Sequence, residues 1–292
     1  YIDIHHCLIY YLYEQITRVR GIKMKSLLKK HLSTVLAITI LITSCTAFAT
    51  PALAAEVDNT EVEYEKIHLS ASEQLFYDIE KIEEYINVQG TSVLDELEKQ
   101  QNFYTELIEN ETNELEAQKL RDLLATNKEL ISSYELYLDI KEDGEINREI
   151  GETEAKAVVA AIVAYFNLNG YVLSSELLMH AQDNETVDSI YEPYFRNRVA
   201  GTSVIQNIKR SSKSSGQSNF EKDGTSAGND CYYAIHGFNW TKNSHNAVTI
   251  SDRYDYEIAY NYTGIQQYAV NAMWLCQQLG YIVPFQLRIY NI

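Results

Sequence analysis

Ala247-Val-Thr-Ile-Ser-Asp-Arg-Tyr-Asp-Tyr256 is the stretch on which the fold turns. Val248, Ile250, Asp252, Tyr254 and Tyr256 recur at every second position, the period of a half-buried strand with one face toward a core. Side chains at i and i+2 share a face, so Asp252 and Tyr254 project together and Asp255 points the other way. A twist or bulge at the strand end brings all three together. Two readings stand side by side. Asp252, Tyr254 and Asp255 are the densest grouping of catalytic candidates in the chain; read locally, the two carboxylates open a turn and Tyr254 is a packed aromatic.

Downstream, Ile265, Tyr268, Ala272, Met273, Cys276 and Leu279 mark the buried face of a helix, with Thr263 as N-cap and Gly280 as terminator. Val283–Ile292 then alternates Phe285, Leu287 and Ile289 against Gln286, Arg288 and Tyr290. Upstream, Cys231–Trp240 has strand composition and Asn243–Asn246 turns it back on Ala247–Tyr256. The order strand–strand–helix–strand predicts an α+β domain whose small antiparallel sheet packs against helices. His236 alternates with Phe238 and Trp240 and is expected on the same surface as those rings; a lone histidine there is more often structural than catalytic. Before it, Ser211–Ser218 and Asp223–Asp230 read as a polar loop of about twenty residues, long enough to serve as a lid, with Phe220 as its apolar anchor.

Further upstream the pattern changes twice. Ala157–Phe166 is apolar on nearly every face, which predicts a centrally buried helix stopped at Asn167–Gly170 and followed by a shorter one over Val172–Ala181. Residues 56–150 carry 26 acids and 8 bases, a net of −18, against 13 and 10, a net of −3, in residues 151–292, within a chain total of −17. Leu75, Ile79, Ile82 and Ile86 form one helical stripe; Leu94, Leu97, Tyr104 and Ile108 a second; Leu120, Leu123, Leu124, Ile131, Tyr134 and Leu138 a third. The expected organisation is an acidic all-α N-terminal module over 56–150 and an α+β domain over 151–292, with residues 155–292 folding without residues 56–150. The acidic module reads as a spacer, cap or binding surface for a protein partner. Such a charge gives no footprint for nucleic acid or an anionic membrane.

Residues 24–55 read as a signal peptide: basic Met24–Lys30, an apolar run from Val35, and small residues at Ala52-Leu-Ala54. Tyr1–Lys23 is then an upstream extension. Ile42-Thr-Ser-Cys45 loosely matches a lipobox, but the downstream small-residue site favours simple secretion over a lipoprotein anchored at Cys45. No other stretch is long and apolar enough to span a membrane. Cys231 and Cys276 remain in the mature chain, and whether they pair is left open. Nucleophile-elbow, phosphate-loop and zinc spacings are absent.

Asp252-Arg-Tyr-Asp-Tyr256, followed by Gly264-Ile265, a helix and a terminal strand, resembles the C-terminal catalytic domain of the colicin M family of bacteriocins. Val158–Gly170 and the Ser/Gly-rich run into Asp230-Cys-Tyr are similar to that family as well, so the resemblance spans about residues 155–292. It implies a magnesium-dependent phosphodiesterase that cuts lipid II between the prenol and the pyrophosphate. Asp252, Tyr254 and Asp255 fall on the family's Asp-x-Tyr-Asp motif. The family's His-Arg pair is missing: Tyr262-Thr263 stands before Gly264, which leaves His236 or Arg253 to substitute for it in space.

Two functional classes follow. One is a secreted, envelope-acting toxin-like factor working on a cell-envelope component or lipid-linked precursor. The other is a catalytically inactive secreted protein that uses the same domain for recognition. No cofactor is evident from the residues, and magnesium enters only with the colicin M-like activity. For the leader, the intact mass of the exported protein is expected to place the mature N-terminus between Thr50 and Glu56 without lipid; a diacylglyceryl mass on Cys45 would overturn that reading.

Overall fold

The computed structural model describes residues 71–143, 151–187, 189–257 and 263–292. The expected extension and signal peptide, Cys45 and the start of the acidic module lie outside them. Three helices come first: α1 (Ala71–Val88), α2 (Val93–Asn110) and α3 (Glu114–Asp143). The predicted stripe Leu75, Ile79, Ile82 and Ile86 is fully buried on α1. Gly90, at φ +81°, turns the chain after it in a conformation that a Cβ disfavours. Ser92 starts α2 through a reciprocal cap: Asp95 N donates to Ser92 Oγ at 3.1 Å and Ser92 N to Asp95 Oδ2 at 3.0 Å. A cap of this kind stabilises a helix by about 1 kcal/mol.

Helix α4 (Glu152–Leu168) is the buried helix that the sequence predicts, with every residue from Ala157 to Phe166 inside. Helices α1, α2, α3 and α5 (Val172–Asp183) pack around it. Consequently the described residues make one compact unit with one continuous core, and the composition break near residue 151 falls between helices that pack on each other. The last helix, α9 (Ile265–Gln278), also packs on α1, with Tyr77 edge-on to Tyr268 at 5.7 Å between ring centres.

The remaining elements are β1 (Ile190–Tyr191), a 3-10 turn (Tyr194–Arg196), α6 (Asn197–Ala200), α7 (Ser203–Arg210), β2 (Ser215–Asn219), α8 (Ser226–Ala234), β3 (Gly237–Lys242), β4 (Val248–Tyr254), α9 (Ile265–Gln278) and β5 (Phe285–Ile289). The strands form one sheet in the order β1-β5-β4-β3-β2. The α+β class is as expected, but the sheet is mixed, because β1 runs parallel to β5. The expected polar loop is largely regular structure. Ser215–Asn219 has little strand propensity of its own and becomes β2 by pairing along the whole of it with β3. Gly216 permits this: a Cβ there would meet the Trp240 ring at 2.9 Å. Asp223–Asp230 runs into α8, capped where Gly228 N donates to Thr225 Oγ1 at 2.9 Å. Cys231–Ala234, expected in a strand, is the end of that helix, because the cap sets the register before the aromatic composition acts. Thr263 is not the N-cap of α9; Gly264, at φ +65°, occupies that position. Cys231 and Cys276 are both buried thiols and unpaired.

Two buried carboxylates pin α5. Its own N-cap, Tyr171, offers no side-chain acceptor. Asp230 of α8 supplies one from outside: Leu173 N donates to Oδ2 at 3.1 Å, and Ser174 N and Oγ each donate to Oδ1 at 2.9 Å. Arg198 Nε completes the set at 3.3 Å. Glu176, fully buried, accepts from Tyr194 N at 2.6 Å, Phe195 N at 2.9 Å and the Tyr191 hydroxyl at 2.7 Å. Removing either acceptor would strand buried donors, at about 1–3 kcal/mol for each group left unpaired.

A fragment covering residues 151–292 alone would expose the faces of α4 and α9 that α1, α2 and α3 cover. It is expected to lack the cooperative urea transition of the chain that includes residues 66–150. A sharp transition with native tyrosine circular dichroism from the fragment would show that α4 needs no such cover.

Candidate functional site

The β3–β4 ladder ends at Asn239–Ser251, whereas β5 stays paired with β4 as far as Tyr254–Phe285. Past Ser251 the β3 side of β4 is therefore released, and a cleft of about 620 Å³ opens there. Its walls are the end of α8 with the start of β3 (Tyr232–Gly237), the end of β4 with the residues after it (Asp252–Glu257), and Gln266 and Val270 of α9. All five residues singled out from the sequence, His236, Asp252, Arg253, Tyr254 and Asp255, line this one cleft.

Asp252 occupies the core-facing side of β4, in phase with the buried Val248, Ile250 and Tyr254, and is half-buried. It does not open a turn. Burial pushes its carboxyl up to about 7; a backbone hydrogen bond at Arg253 works against that rise and the neighbouring Asp255 adds to it. A carboxyl in that range exists in both protonation states near neutral pH, which suits proton transfer. Asp255 lies beyond the strand, exposed, and accepts from Arg253 Nε at 3.2 Å. This is the structural partnership that a local reading anticipates, placed on the cleft rim.

Tyr254 is the packed aromatic of the local reading. It stacks on Phe285 at 4.9 Å between ring centres and shares a hydrogen bond of 2.6 Å between its hydroxyl and that of Tyr256. Tyr256 is held in turn by Gln277, which accepts from its N–H at 2.8 Å and donates to its carbonyl at 3.1 Å. Burial raises both phenols far above their ordinary range, so they serve only as neutral hydrogen-bonding groups.

His236 departs from its expected place. It is exposed, whereas Phe238 and Trp240 are buried, because it precedes β3 and sits at φ +51°. That left-handed residue closes α8, with its N–H on the Cys231 carbonyl at 3.3 Å. Glycine is usual there, and a side chain in this region costs about 1 kcal/mol. The strain aims the imidazole at the cleft mouth, edge-on to Tyr232 at 5.0 Å. His180 and His245 line no part of the cleft.

No residue of 211–230 lines the cleft, so the expected lid does not roof it; Lys222 reaches its wall, over the rings of Tyr232 and Tyr233. These two tyrosines, with Tyr256, Glu257 and Gln266, are the lining groups that sequence reasoning missed. The strand assignment of Cys231–Trp240 hid them, although Thr225 as a helix cap would have placed both tyrosines on the last turn of α8. Gln266 donates to the Tyr233 hydroxyl and ties α9 to that turn.

Asp252, Asp255 and Glu257 share the cleft, but among the described residues no three His, Cys, Asp or Glu side chains converge to hold a metal ion, and Asp255 is engaged by Arg253. This donor set does not fit the magnesium that the resemblance implies.

The Asp252 carboxyl holds its proton more tightly in the fold than in the unfolded chain. Its contribution to stability is complete below about pH 4 and is lost as pH rises through about 7. Asp252→Asn removes that loss. Its stability advantage over the parent is expected to grow by about 1–2 kcal/mol between about pH 5 and pH 8, allowing for partial solvation. Urea midpoints of both chains at the two pH values measure it, and an advantage that shrinks with pH would contradict the assignment. No family model matches the chain, and no curated protein and no solved structure matches it.

Proposed function

We propose that this is a secreted, envelope-acting factor of the colicin M type, and that the cleft at the end of β4 is its working site. The observation that carries the reading is the convergence of His236, Asp252, Arg253, Tyr254 and Asp255 in one cleft. The substrate class is a phosphate-linked, lipid-carried envelope precursor. Hydrolysis joins the oxygen of a water molecule to phosphorus and breaks the bond to the prenol oxygen, which then needs a proton. Asp252, with its carboxyl near 7, can deliver that proton to the leaving oxygen and recover one from the attacking water. Arg253, as a cation, and His236, as a hydrogen-bonding group, stand on the same walls in place of the family's missing His-Arg pair and face phosphoryl charge. Tyr254 holds the Asp252 end of β4 in place through Phe285 and Tyr256.

A second reading, recognition without catalysis, draws on Thr263, which stands where the family carries arginine, and on the lack of a three-ligand metal set among the described residues. Among the described residues no helix is long and apolar enough to cross a membrane.

The exported chain is expected to release a pyrophosphorylated product from lipid II in detergent with magnesium present, and Asp252→Asn to reduce the rate at least 100-fold while folding normally. Binding of lipid II without release would establish the second reading. Neither binding nor release would remove the envelope precursor as the ligand.

A further inference from the structure

The cleft is lined by three carboxylates, Asp252, Asp255 and Glu257, against Arg253, which is engaged with Asp255, and His236. Its floor and walls are otherwise largely tyrosine. Such a surface attracts cations: carboxylates set a negative field, and ring faces carry a negative quadrupole. One ammonium is already seated at its edge. Lys222 Nζ lies 5.2 Å from the centre of the Tyr232 ring and 5.0 Å from that of Tyr233. The two rings are nearly perpendicular, at 82°, with centres 5.4 Å apart, so they form a two-walled corner that holds the charge between them.

The corner is held by packing, whereas Lys222 is exposed. Tyr233 packs against Tyr171 at 5.1 Å, Phe166 at 6.1 Å and Tyr165 at 6.5 Å, and its hydroxyl accepts from Gln266. Tyr232 is flanked edge-on by His236. Lys222 lies exposed in the connection between β2 and α8, beside Gly224 at φ +78°, and forms no ion pair among the described residues. A preformed aromatic corner is thus occupied by a side chain that a short movement of a surface connection removes.

We propose that the Tyr232–Tyr233 corner is an alkylammonium subsite of the cleft, filled by the chain's own Lys222 when no ligand is bound and taken by a primary amine of the ligand when one is. The cleft then receives a ligand that carries an amino group of the kind a lysine side chain presents. Lys222 is an internal competitor, and apparent affinity falls by the fraction of time it holds the corner. The subsite shares the cleft with the hydrolytic reading but not its chemistry, so it can be found whether or not lipid II is cut.

The probe is n-butylammonium, with 1-pentanol as its neutral counterpart, titrated into the mature chain and followed by ligand-detected NMR and by shifts of the tyrosine ring resonances. Butylammonium is expected to bind at least tenfold more tightly than pentanol, and Lys222→Met to tighten it at least threefold. Tyr232→Phe should retain binding, because the ring face remains, and Tyr232→Leu should weaken it at least fivefold. Tyr233 is packed into the core, so its replacement is not relied on; Lys222→Met alters only an exposed side chain and keeps the test decisive. Equal binding of amine and alcohol, or affinity for the amine unchanged in Lys222→Met, would overturn the proposal.

Discussion

A helix that offers no face to water must be covered on every side, and helix α4 sets that condition for the whole chain. Ala157 to Phe166 are all buried, so a single sheet or a single partner helix cannot satisfy them. Five other helices close around α4, and the acidic helices α1–α3 supply most of that cover. Their charge is a consequence of the position. Each has one apolar stripe turned to α4, and the opposite face, left to water, is filled with carboxylates. The acidity that sets residues 56–150 apart in composition is the outer surface of the same core. Because α9 also rests on α1, the cleft wall formed by Gln266 and Val270 depends on the first helix of the described chain.

Packing alone does not orient these elements, and the buried carboxylates do the rest. Asp230 gives α5 the cap its own sequence lacks and fixes α8 against it; Glu176, the fifth residue of α5, caps the turn at Tyr194. Burial raises both, Glu176 to about 7, and the several hydrogen bonds that each accepts work against that rise. Since α8 ends at Tyr232–Ala234, the Asp230 contacts also fix where the tyrosine corner and His236 stand. His180 works in the opposite sense: burial lowers it to about 4, so protonation at acid pH destabilises the fold and offsets what the raised carboxyls gain there.

How far the sequence reveals this depends on which force acts at each position. Periodicity reveals α1 to α5, β4, α9 and β5, because one apolar face is set by one core. It fails at Ser215–Asn219, where β2 is made by pairing and by the Trp240 ring lying over Gly216, both remote in sequence. It fails again at Cys231–Ala234, where strand-like residues obey a helix cap six residues upstream of the first of them. The candidate site was named residue by residue from the Asp-Arg-Tyr-Asp run and one histidine, and the cleft contains them all. Its aromatic half was hidden by that misread helix, and no local signal shows that β3 and β4 part company at Ser251.

That parting gives the site its character. Past Ser251 the edge of β4 that faced β3 loses its partner, and the next residue on the core-facing side is an aspartate where Val248 and Ile250 set an apolar rule. Two other departures lie within the same cleft: a left-handed histidine where glycine fits without strain, and a pair of tyrosine hydroxyls spent on each other. An apolar residue at 252 and glycine at 236 would both be easier to fold, since the first would remove a carboxyl that burial disfavours above neutral pH and the second would relieve the backbone. The contacts they do make, a backbone hydrogen bond at Arg253 for Asp252 and the edge of Tyr232 for His236, lie within the cleft itself. Local rules broken together, in a concave place, at a cost to stability, are what a binding or reacting surface demands and what a purely structural sheet end does not.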